Sequence, residues 1–257
     1  RKPEKQEATL GIGGLPMGTE EIKFLPTDFE KFADSVQDNA EFNDARLEVR
    51  RKLDLLGKAG GEKLSDGVHD FVSRASLHHP HKVNSFKVDK QWVYLSRAES
   101  ERKELQGRLG QEIGEDLGSD YNHAVLVLEI QHSGLTLALR IHPRAWWDGE
   151  NLRRQMGRQE GRENLAAAVK PLKGFRLRID DNKTSRACET VDDIEWMTVR
   201  KHFTPGEHWM HIEKHIDGDS LFVSSGGFQE RLLDEWSRLL PAYKLFCWHK
   251  NNDELFA

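Results

Sequence analysis

Residues 123–141 read HAVLVLEIQHSGLTLALRI, two apolar runs separated by Gln131, His132, Ser133 and Gly134. In the second run Leu135, Leu137, Leu139 and Ile141 point one way, and Thr136, Ala138 and Arg140 the other. Alternation with period two around a polar, glycine-containing break predicts an antiparallel hairpin with a four-residue loop. One apolar side and one wetter side predict a sheet backed by helices on a single face.

Working outward, Phe175, Leu177 and Ile179 alternate with Arg176 and Arg178, which predicts a further short strand. Segments 82–88 and 91–95 also alternate, with a turn expected at Asp89 and Lys90. Helical spacing predicts helices over about 28–36, 43–56 (stopped by Gly57), 62–76, 97–117, 147–159, 162–172, 191–202 and 228–248. Pro241 is expected to split the last. The expected fold is therefore α+β: a small, mainly antiparallel sheet, hairpin 123–141 at its centre, with helices from both ends of the chain packed on it. The glycine-punctuated residues 1–25 read as a flexible tail. Residues 26–257 read as one domain, helical over 26–80 and sheet plus helices over 81–257.

Composition excludes several classes. The chain is 37% hydrophobic and 32% charged, enough apolar content for a packed core. Its longest apolar run, Ala124 to Leu128, is far short of the ~20 residues that span a bilayer, so no membrane partner is expected. Residues Arg1 to Gln6 carry no apolar stretch, which predicts no secretory leader. Cys188 and Cys247 match no metal or disulfide spacing, which predicts free thiols in a reducing, cytoplasmic setting.

The charge is uneven. Residues 140–186 hold twelve basic side chains against six acids in a chain of net charge −5, and nine of the twelve are arginine. Arginine's planar fork suits phosphate and carboxylate, so this segment predicts an anionic partner, nucleic acid or an acidic protein surface. The residues placed at that contact are Arg144, Arg153, Arg154, Arg158 and Arg162, the last four at helical spacing, with Trp146 or Trp147 adding a stacking surface.

Histidines form two groups. His208, His211 and His215 follow a Thr204–Glu207 stretch shaped like a capping box, which predicts a helix; a strand reading of the same residues separates His208 from the other two. On a helix, His211 and His215 have the spacing that chelates a transition metal. His78, His79 and His81 fall on a loop beside Pro80 and are the second metal candidates. No nucleophile motif is present, so no catalytic residue is assigned and no cofactor is expected beyond such a divalent metal. The expected function is a binding or accessory module for an anionic partner. The alternatives are a metal-dependent hydrolase or nuclease using the histidines, and a structural or regulatory subunit of a larger complex.

Overall fold

The computed structural model describes residues 21–110, 120–180 and 185–256. The sequence-predicted tail up to residue 20, the end of the 97–117 helix beyond Gly110, and Asp181 and Lys183 of the basic segment lie outside them. Strands β1 (Phe71–Ala75), β2 (Lys90–Arg97), β3 (Val125–Gln131), β4 (Gly134–Ile141), β5 (Arg176–Ile179), β6 (Arg186–Ala187) and β7 (Met210–Asp217) form one sheet in the order β1-β2-β3-β4-β7-β5-β6. Every neighbouring pair is antiparallel.

Helices α1 (Pro26–Glu30), α2 (Asn43–Leu64), α3 (Glu99–Leu109), α4 (Trp146–Gln155), α5 (Gln159–Val169), α6 (Asp193–His202), α7 (Leu221–Ser224), α8 (Phe228–Ser237) and α9 (Leu240–Phe246) complete the described elements. From the N-terminal part of the chain α2 lies on β1 and β2, and from the C-terminal part α8 lies on α2 and β4. The α+β fold with hairpin 123–141 in the middle is thus the observed one. The core lies between helices and sheet: Val93, Leu95, Leu126, Leu128, Leu137, Leu139, Ile212 and Leu177 are buried there with Leu53, Leu56, Leu232 and Trp236. The alternate strand residues Trp92, Tyr94, Val127, Ala138 and Val125 form a separate small apolar cluster on the other face.

Six local expectations change. The hairpin closes at the Gln131–Gly134 pair, so His132 and Ser133 alone make the turn. Gly57 does not stop α2. The helix runs through Gly57, Gly60 and Gly61 because a Cβ at Gly57 would meet Val93 Cγ2 at 2.4 Å and one at Gly60 would meet Trp236 Cζ3 at 2.7 Å. The absent side chains let the helix press against the sheet. The helix expected over 62–76 gives way to β1, whose pairing with β2 outweighs its local helical spacing. Residues 82–88 are not a strand, because a 3₁₀ turn at Lys82–Asn84 is followed by Ser85 and Phe86 at φ 55° and 58°. Residues 210–217 are β7 and not a helix, since Met210, Ile212 and Ile216 face the core with period two between β4 and β5. The chain is also packed before residue 26: Phe24 is buried against Phe29 and Phe228.

Candidate functional site

The sheet face opposite the helices carries the site. Antiparallel register aligns side chains of successive strands into rows across it. Arg140 of β4, His211 of β7 and Arg178 of β5 make one row; Val127, Ala138, Glu213 and Arg176 make the next; Glu129, Thr136 and His215 the third. Apart from Val127 and Ala138, which pack with Tyr94, these residues line a groove of about 660 Å³ together with Lys90, Asp180 and Trp209.

Three carboxylates hold the arginine forks. Arg140 Nη1 donates to Glu129 Oε2 at 2.9 Å, with Lys90 Nζ 3.5 Å from the same oxygen. Arg178 Nε donates to Glu213 Oε1 at 3.2 Å and its Nη1 to Asp180 at 2.9 Å, while Arg140 Nη2 stands 3.8 Å from Glu213. Burial alone would raise the Glu129 carboxyl, but Arg140 and Lys90 outweigh it and hold it below the usual carboxylate range. Among the described residues the buried Arg140 Nε has no hydrogen-bond partner.

His211 sits between the two arginines, only 7% exposed, and stacks on Trp209 with an interplanar angle of 13°. Among the described residues neither ring nitrogen has a hydrogen-bond partner. Asp180 Oδ1 lies 3.3 Å from Nε2, but off the direction a hydrogen bond requires, and Glu213 Oε2 is 3.8 Å from Nδ1. Burial, then Arg140, Arg178 and Lys90, push its pKa down to about 3, so the ring is neutral at neutral pH. Buried polar atoms without a partner are costly, and among the described residues three of them cluster in this groove.

The side chains expected to contact an anion lie elsewhere. Arg154 donates to Glu150 and to the carbonyls of Glu254 and Leu255, Arg158 pairs with Glu254, and Arg162 donates to the Met156 carbonyl. Arg153, half-buried on α4, offers its carbonyl to Arg200. Arg154 and Arg158 anchor the C-terminal residues to α4 and α5. Trp147 packs with Leu105 and Trp248, whereas Trp146 is 41% exposed; Arg144 is exposed on the loop after β4. The groove instead takes Arg140, Arg176 and Arg178 from the same basic segment. The outward alternation of Arg140, and of Arg176 with Arg178, was the available signal. Glu129 and Glu213 become visible once β3 and β7 are read as strands.

His211 and His215 share the outer face of β7, but four residues of strand separate their Cα atoms by roughly 13 Å, too far for one ion. His215 meets Thr136 and Asp217 instead. In the 76–81 loop His79 lies between His78 and His81, with ring centroids at 4.9 and 6.1 Å; His81 Nδ1 accepts from the Val83 amide. Among the described residues no group of three His, Cys, Asp or Glu gathers to hold a metal ion. No helix among them is long and apolar enough to cross a membrane. No protein-family model matches the chain, and no curated protein is found similar to it.

Proposed function

We propose that this chain is a binding module that holds an anionic partner, nucleic acid or an acidic protein surface, on the open face of its sheet. The observation that carries the reading is the Arg140–His211–Arg178 row, in which a buried imidazole with two unbonded nitrogens stands between two guanidinium groups. An oxyanion entering the groove accepts hydrogen bonds from the arginines and gives the imidazole a partner. Glu129, Glu213 and Asp180 hold the forks in place beforehand, which lowers the ordering cost of binding. Both cysteines are buried free thiols, which fits the cytoplasmic setting that forms part of this proposal.

The test is an NMR titration of inorganic phosphate and pyrophosphate, read at the His211 ring. We expect saturable shifts at His211 that weaken several-fold in Arg178→Gln. Unmoved His211 resonances throughout the titration would remove the reading.

A further inference from the structure

We propose, resting on that reading, that the anionic partner is a single-stranded nucleic acid whose bases stack along the aromatic half of the same face. A second groove, of about 790 Å³, adjoins the first and shares Lys90 with it. Trp92, Tyr94, Tyr121 and His142 line it. The rings form a continuous path into the arginine row. Tyr94 and Tyr121 have centroids 6.2 Å apart, Tyr121 and His142 5.4 Å, His142 and Trp209 4.3 Å, and Trp209 and His211 5.4 Å.

Charge runs along the same path. Arg74, Lys87, Lys90 and Arg144 line the aromatic groove against one acid, Asp89. At the far end stand Arg140 and Arg178, their forks held by Glu129, Glu213 and Asp180. A row of rings flanked by cations is what a strand of alternating planar bases and phosphates requires, and stacking tolerates any base. A duplex hides its base faces and offers phosphates alone, while an acidic peptide engages the cations and leaves the rings unused. The outer lip supports an extended ligand. Val83 lines it and is 77% exposed, and Phe86, beside the lining residues Ser85 and Lys87, is 62% exposed.

The deciding experiment is fluorescence anisotropy of the full chain with labelled single-stranded DNA and RNA of about ten nucleotides. The same-sequence duplex and a poly-glutamate peptide serve as competitors, at ~50 and ~200 mM salt. We expect micromolar single-strand binding that falls steeply with salt, with duplex and peptide at least tenfold weaker. Tyr121→Ala, on an exposed side chain, should weaken the single strand about tenfold and leave thermal unfolding and the phosphate response of His211 unchanged. Equal or tighter binding of duplex or peptide overturns the inference, as does full affinity in both Tyr121→Ala and Trp92→Ala. A phosphate response at His211 without oligonucleotide binding removes this inference and leaves the anion site standing; silence in both removes both.

Discussion

An imidazole held neutral by its surroundings reports directly on what enters its groove. His211 has a folded-state pKa near 3, against about 6.5 for an unfolded chain. Between those values the unfolded state binds more protons, so the contribution of His211 to stability is intact above about pH 6.5 and declines as the pH falls. The largest slope it supports is about 1.4 kcal/mol per pH unit. His142, lowered by burial and then Arg144, adds to the same acid limb, as do His78 and His249. His211→Gln is therefore expected to make the fall in urea midpoint between about pH 6 and pH 4 shallower without abolishing it, which equilibrium unfolding at several pH values would reveal. A bound phosphate works the other way: its negative charge beside the ring raises the His211 pKa, so binding takes up protons and tightens on acidification. An NMR pH titration with and without pyrophosphate measures that displacement. An unchanged His211 pKa would mean that the anion does not reach the row.

One hairpin and one strand show why local pattern recovered some elements and missed others. The β3–β4 hairpin is legible because its alternation and its break are contiguous, and Gly134 sits at φ +146° where a Cβ would lie 2.2 Å from the Ile216 carbonyl oxygen. Gly134→Ala should thus cost more than about 2 kcal/mol by forcing β4 and β7 apart, and show as a lowered melting temperature. β7 was hidden: Thr204 and Glu207 imitate a capping box, and His208, His211 and His215 imitate a helical face. Its state is decided by β4 and β5, distant in sequence, so no local window contains the answer. The join between α4 and the sheet was equally invisible. Asp148 pairs with Arg97 in full burial and also accepts from the Ala124 and Trp248 amides at 2.6 and 2.7 Å. Asp148→Ala leaves that guanidinium buried and uncompensated, and should cost about 3–5 kcal/mol in denaturant unfolding. Arg154→Glu with Arg158→Glu, on exposed pairs, should instead cost under about 1 kcal/mol each, free the C-terminal residues to protease, and leave phosphate binding unchanged.

Taken as a unit, the molecule separates a sealed side from an open one. Both thiols belong to the sealed side: burial pushes Cys188 up to about 12 and raises Cys247 as well. A thiol reagent should therefore find no reactive cysteine in the native protein and two after unfolding, which a colorimetric thiol count checks. The basic bias of residues 140–186 was legible as composition, yet which arginines face outward together depends on register between β4, β7 and β5. That explains why Arg140 and Arg178 escaped notice while the helical series from Arg153 to Arg162 drew it. The aromatic path is dispersed further still, since Tyr94, Tyr121, His142 and Trp209 meet only after the sheet closes. That closure has a timetable. β4 takes β7 as its second neighbour, so its edge stays unpaired on a growing chain until Asp217 has emerged from the ribosome. The roughly 70 residues between Ile141 and Met210 take some 4 to 14 s to translate at ~5–20 residues per second. For those seconds the backbone N–H and C=O groups along one side of β4 lack their partner strand, which is the condition under which an apolar strand is open to pairing with another chain.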